Sequence, residues 1–308
     1  MESPWDSRKR SESQEAQQRQ TRQFQPLSER KGIGESCIPA NKILGNNNSK
    51  NEKPGNNKQS KNNMYPWNFG TINIRTGNEN DEGYKLYSIT KEVVKAGLHF
   101  CSLQEVRYRN HGKKEITLNT CETFAFYWCG QKIRRNAGVG VLMKKCKDIQ
   151  FDEPDICDPR IMALNIKVKG FSLRLVNVYS HTNCDGSENQ KDTFYRLLKK
   201  ACIKQHKHQK ILVCGDFNAT TAVSLKQSYF DGKQIIVDPI CNDNGLRLKR
   251  FVRDAGLCMT QTYFSHPDEE RFTWFSGDKI TKKVLDYVIV TVCTAVCQRL
   301  CCLLRVYM

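Results

Sequence analysis

The chain has 308 residues, of which 39% are hydrophobic and 9% aromatic, enough for one large α/β domain or two small ones with a real core. Its 49 Lys and Arg against 32 Asp and Glu give a formal charge of +17, which favours polyanionic partners, nucleic acid before an acidic membrane surface. Fifteen cysteines with no CxxC pair argue against a disulfide framework or a clustered zinc site, and the longest apolar run, Tyr287 to Cys297, is short of the roughly 20 residues a bilayer span needs.

The mean hydropathy of −0.62 already requires a polar segment. Residues 1–63 supply it: they are rich in Gln, Asn, Ser, Lys and Arg and end in GNNNSKNEKPGNNKQSKNN. With so little apolar surface to offset ordering entropy, they are expected to be a disordered basic tail. The polar start MESPWDSRKRSESQ has no signal-peptide pattern, so an intracellular protein with reduced thiols is the expectation. Arg8-Lys9-Arg10 suits nuclear entry or DNA contact, though such a run is more often simply solvated; the nucleus is expected ahead of the cytoplasm.

From residue 64 to 290 the pattern is that of a folded domain. Apolar stretches of strand length recur as FGTINI, HFCSL, FAFYWCG, GVGVLM, MALNIKV, FSLRLVNVY, KILVCGDF and VLDYVIV. MALNIKV and SLRLVNV alternate with period two, as half-buried strands do. Three helical stripes lie between them: Leu86, Ile89, Val93 and Val94 before Gly97; Phe194, Leu197, Leu198 and Cys202; Leu246, Leu248, Phe251 and Val252 before Gly256. Helices alternating with paired strands predict an α/β sandwich with mixed sheets. Residues 291–308 form an atypical Cys- and Leu-rich segment; Cys293, Cys297 and Cys301 share one helical face there but lack a fourth ligand.

Polar residues collect at strand ends, where α/β folds place their sites: Asn73, Glu105, Tyr179, Asp216, Asn218 and Asp286. Singly, each is equally a turn former or a structural carboxylate. Their order carries more. The strings I-N-I-R, L-Q-E-V-R, V-N-V-Y, G-D-F-N-A, T-W and L-D-Y-V-I-V, spread from Trp67 to Val290, resemble the endonuclease/exonuclease/phosphatase superfamily. The R-Y-R after Glu105, the FAFYWCG segment and GDFNA are similar to its non-LTR retrotransposon endonucleases.

The resemblance implies a four-layer sandwich of two mixed sheets flanked by helices, and a monomeric Mg²⁺- or Mn²⁺-dependent endonuclease acting on DNA. It implies Glu105 as metal ligand with Asn73 beside it, Asp216 orienting or deprotonating water, Asn218 and Tyr179 at the phosphate, and Asp286 holding a histidine. Arg107, Arg109, Arg134 and Arg135 are candidate backbone contacts, with Thr273 and Trp274 at the DNA groove; Trp274 is as well suited to a core, and the arginines to solvent. The sequence departs from the family after Asp286: its last 22 residues hold neither Asp nor His, where the family closes on an Asp-His pair. A missing last strand and weak activity are therefore expected, with a non-cutting nucleic-acid- or protein-binding remnant as the alternative.

Overall fold

A computed structural model describes residues 67–77, 83–133, 136–168, 171–183, 187–222, 240–260, 272–291 and 304–307. The tail at 1–63, Arg134, Arg135 and most of the Cys/Leu-rich segment lie outside the described residues.

Two mixed sheets form the body of the domain. In the first, β1 (Trp67–Asn73) runs parallel to β2 (Phe100–Gln104). Joining parallel neighbours takes a crossover, and α1 (Tyr84–Lys95) provides it, burying Leu86, Ile89, Thr90 and Val93. The sheet continues antiparallel through β5 (Val139–Lys144), β4 (Thr123–Cys129) and β3 (His111–Thr117). The β3 sequence, HGKKEIT, escapes a hydrophobic reading because it is an edge strand with alternate residues in solvent. On the other edge β15 (Leu304–Tyr307) pairs parallel to β1. The end of the chain thus adds a four-residue strand, though one without Asp or His.

The second sheet is ordered β11 (Leu257–Met259), β14 (Asp286–Thr291), β10 (Lys210–Asp216), β9 (Phe171–Tyr179), β8 (Ile161–Val168), β6 (Ile149–Phe151), with β7 (Ile156–Asp158) also on β8. Only β9 and β10 are parallel, and α2 (Glu188–Ala201) makes their crossover. Its start is fixed by a capping box in which Ser187 and Gln190 satisfy each other's backbone N–H. α3 (Asp243–Asp254) is capped by Asn242, which accepts from Gly245 N.

The sheets pack face to face. Trp67, Phe69, Phe100, Val141 and Met143 from one share a core with Leu164, Leu175, Leu212 and Val288 from the other. On the outer face of the second sheet, Val176, Val213 and Ile289 meet Phe194 and Leu198 of α2 and Leu248 and Phe251 of α3. Helix, sheet, sheet, helices is the four-layer order that the family resemblance implied.

One expectation needs correction. The alternating strands β8 and β9 are not half-buried; both faces are covered. Asn165, Arg174 and Asn177 are buried but satisfied, while Lys167 is exposed. Arg174, 2% exposed, pairs bidentately with Asp155 at 2.9 and 3.1 Å and donates to Asn165 Oδ1. Asn177, wholly buried, donates to the Leu103 and Gly140 carbonyls and accepts from Gln104 Nε2 at 2.7 Å, fastening one sheet to the other. In α3, Leu246 of the expected stripe is 55% exposed, while Leu248, Phe251 and Val252 are buried.

Candidate active site

Strand pleating decides which side chains can meet. Side chains two apart share a face. Trp67 and Phe69 face the second sheet, so Asn73, in phase with them, does too. Leu173 and Leu175 put Tyr179 on the facing side, Leu212 and Cys214 do so for Asp216, and Val288 and Val290 for Asp286. Register then aligns them in a row: Asp216 is paired with Tyr179 on one side and with Asp286 on the other. Four polar residues far apart in sequence therefore end in one cleft between the sheets.

Glu105 reaches that cleft by a different route. As the residue after Gln104 it would fall on the opposite face of a regular strand. Its φ of +53° breaks the alternation, and its carboxylate accepts from Asn73 Nδ2 at 2.9 Å. Left-handed backbone costs a non-glycine residue about 1 kcal/mol, and Arg75, Arg107 and Asn218 share it at φ 57°, 56° and 47°. Such a concentration of strain marks a site whose geometry is enforced by its surroundings.

The amide of Asn73 joins the two carboxylates, donating also to Asp216 Oδ2 at 3.1 Å. Asn218 N donates to Asp216 Oδ1 at 2.8 Å, and Asn218 Nδ2 to the Ser180 carbonyl at 3.1 Å. Asp216 is only 7% exposed; burial, with the Asp286 charge next, pushes its carboxyl up to about 8. Burial likewise lifts Asp286 to about 6, against the Thr273 hydrogen bond that draws it down. Thr273 Oγ1 also accepts from the backbone N–H of Leu285 and Asp286, at 3.0 and 3.2 Å, so it fixes the start of β14. Burial and the nearby charges of Glu105 and Asp216 raise the Tyr179 phenol, which stays protonated and able to donate.

The basic residues divide. Arg107 is not free for a phosphate here: its Nη2 donates to Glu105 Oε2 at 2.6 Å. Arg109 is exposed. Trp274, read from sequence as either core or groove, is on the surface at 36% exposure, in a hairpin of β12 (Trp274–Phe275) and β13 (Lys282–Lys283), with Lys283 Nζ 5.8 Å from its ring centre. Sequence reading missed Arg160. It donates to the Tyr179 and Ser180 carbonyls and stacks over the Tyr179 ring at 5.1 Å, and with Tyr179, His181, Thr182 and Gln131 it lines a cleft of about 250 Å³. The turn DPR before β8 carried no signal beyond an Asp-Pro punctuation.

Residues 70–302 match the endonuclease/exonuclease/phosphatase family, most of the folded domain. The chain belongs to that family. It is 24% identical over 225 residues to craniofacial development protein 2 of Bos taurus, which covers 72% of this chain and 35% of the relative. The protein of the same name from Tragulus javanicus is also 24% identical over 225 residues, covering 72% of this chain and 36% of its own length. The chain thus spans about a third of the curated relatives it matches. Among solved structures, the endonuclease domain of TRAS1, a telomere-specific non-LTR retrotransposon, is 13% identical with a TM-score of 0.45, covering 73% of this chain and 84% of that one. A humanized D. rerio TDP2 is 12% identical with a TM-score of 0.43, covering 73% and 82%.

The family implies a divalent metal. Among the described residues no group of three His, Cys, Asp or Glu side chains is arranged to hold an ion. Mg²⁺ asks for less, since it retains several waters and takes one or two protein oxygens. The Glu105 carboxylate and the Asn73 amide oxygen are hard donors in contact through one hydrogen bond. Asp216, bonded to the same Asn73 amide, and Asp286, paired with Asp216 across the strands, lie beside them with both carboxyls raised by burial. The donor set fits a small hard cation.

Proposed function

We propose that this domain is a divalent-metal-dependent phosphodiester hydrolase of retrotransposon origin that nicks DNA. The observation that carries the reading is the Asn73 amide hydrogen-bonded to both Glu105 and Asp216, beside Tyr179 and Asp286 in one cross-strand row. Glu105 and the Asn73 oxygen would hold Mg²⁺ or Mn²⁺, which when bound neutralises charge on the phosphate.

The remaining work falls to the chain's own groups. Asp216, whose carboxyl burial raises above its ordinary value, would orient the attacking water and take its proton. Asn218 keeps Asp216 in place through its backbone N–H, and its side-chain amide has a second hydrogen to offer a phosphate oxygen. The protonated Tyr179 phenol donates toward the same charge. The surplus of basic residues attracts the DNA backbone irrespective of sequence, and the Trp274 hairpin offers an aromatic surface beside Thr273. We expect this 308-residue polypeptide to nick weakly, because no histidine follows Asp286 in it.

One observation favours binding without cutting. Arg107 already neutralises Glu105 at 2.6 Å, as a cation in the metal's place would. Calorimetry with Mg²⁺ distinguishes the two. The hydrolase reading expects saturable binding that Glu105→Ala weakens at least several-fold. No binding by the unaltered chain, or equal affinity in the variant, supports the binding-only reading.

A further inference from the structure

The turn after β10 that carries Asn218 is gripped by the start of α3. Two side-chain amides in the sequence N-D-N-G converge there on one acceptor. Asn242 Nδ2 and Asn244 Nδ2 each donate to the Asn218 carbonyl at 3.1 Å, one to each of its lone pairs. Asn244 Nδ2 also donates to the His181 carbonyl at 2.7 Å, in the run that follows Tyr179. Asn218 reaches the same run through its own side chain, which donates to the Ser180 carbonyl at 3.1 Å. The loops after β9 and β10 are thus tied twice, once by Asn218 itself and once by Asn244.

We propose that Asn244, helped by Asn242, is a positioning residue: it fixes the Asn218 turn so that the Asn218 amide keeps one hydrogen on Ser180 and the other for the phosphate. The inference rests on the hydrolase reading, which gives Asn218 that contact.

Three observations carry it. Asn244 is wholly buried, and its Oδ1 has no hydrogen-bond partner among the described residues. A buried acceptor left unpaired costs stability, so an amide is a poor choice here for packing alone. What the amide supplies is two N–H hydrogens, and it spends one on each loop. Next, Asn218 stands at φ 47°, a left-handed backbone that persists only where the surroundings impose it. Finally, α3 is set hard against the turn. A Cβ on Gly245 would collide with the Thr220 carbonyl, and Thr220 N and Gly245 N both donate to Asn242 Oδ1, at 3.1 and 2.7 Å. The two ends of the Asn242 amide therefore do separate jobs: its oxygen caps the helix, and its nitrogen holds Asn218.

That division supplies the test. Asn242→Asp keeps the capping oxygen and removes only the donor, so it carries the experiment if Asn244→Ala does not fold. Nicking of supercoiled plasmid with Mg²⁺ is followed with the 308-residue chain in excess over DNA, which yields a maximal rate and a half-saturating concentration separately. Both variants should lower the maximal rate, Asn244→Ala by up to about 10²-fold, since small misplacements of a reacting contact cost that much. The half-saturating concentration and the Mg²⁺ affinity in calorimetry should not change. In an Asn218→Ala background neither substitution should lower the rate further, because both act through Asn218. In chain labelled with ¹⁵N-asparagine, the Asn218 side-chain amide signals, identified by their loss in Asn218→Ala, should move toward the free-amide position in each variant. Signals that stay in place in both variants, losses that multiply in the Asn218→Ala background, or unaltered rates in both variants would each overturn the proposal. Absence of nicking by the unaltered chain instead contradicts the hydrolase reading, and the amide signals then decide by themselves whether Asn244 holds Asn218.

Discussion

Replacing Asp216 by Asn should make the metal-free domain more stable at pH 8 and flatten its stability between pH 5 and 8. The carboxyl is 7% exposed, lies beside Asp286, and is pushed up to about 8 from an ordinary value of 3.8. Its folded value lies above its unfolded one, so across that window the folded state binds the extra proton. Stability from this group is fully present below about pH 4 and is lost as pH rises through 8. Each unit of the window corresponds to about 1.4 kcal/mol, so a few kcal/mol separate pH 5 from pH 8 at most. Asp286, raised to about 6, adds to the lower half of the same slope. The amide of Asn keeps the shape, carries no charge, and can still meet Asn73 after an amide flip. Urea unfolding in chelator at pH 5, 6, 7 and 8 would measure both chains. The unaltered chain should lose stability with rising pH, and the variant should lose markedly less and be the more stable at pH 8. Mg²⁺ at pH 8 should narrow the gap. Parallel curves for the two chains would refute the assignment of a costly buried charge to Asp216.

Three further outcomes follow from the same structure. Trp274→Ala should weaken binding to a short DNA duplex several-fold in fluorescence anisotropy, since the ring is exposed beside Lys283; unchanged affinity would return Trp274 to a packing role. Phe251→Ala, which removes a ring with 1% exposure from between α3 and the second sheet, should cost about 3–5 kcal/mol in the same unfolding assay. On composition, limited proteolysis should trim residues 1–63 and leave a resistant domain starting near Met64; loss of the domain's fold on trimming would contradict this.

Much of the fold was legible because it rests on apolar period. All eight apolar runs became strands and all three stripes became helices, since long hydrophobic segments bury the same surface in any compact arrangement. The residues that escaped are those whose position depends on distant partners. β3 is polar because it lies at an edge, and Arg174 is buried because Asp155 and Asn165 receive it. In the site, strand-end Asn73, Glu105, Tyr179, Asp216 and Asp286 could be named from motif order, and pleat parity explains why all but Glu105 converge. The left-handed turn at Glu105, the bridging amide of Asn73 and the pairing of Arg107 with Glu105 leave no mark on composition or spacing. Arg160 was invisible for the same reason: its role comes from stacking on Tyr179.

The central claim is that the cleft is hydrolytic machinery, in a polypeptide whose 22 residues after Asp286 hold no histidine. Supercoiled plasmid with Mg²⁺ tests it most directly, comparing the 308-residue chain with one carrying a grafted terminal segment that contains Ser-Asp-His. Loss of one member of a cooperating catalytic set commonly costs roughly 10²–10⁴ in rate, so the graft should raise nicking by a factor in that range, and Asp216→Ala should abolish the gain. Vigorous nicking by the ungrafted chain, lost in Asp216→Ala, would show that another group does the histidine's work. No nicking by either chain would contradict the hydrolase reading itself.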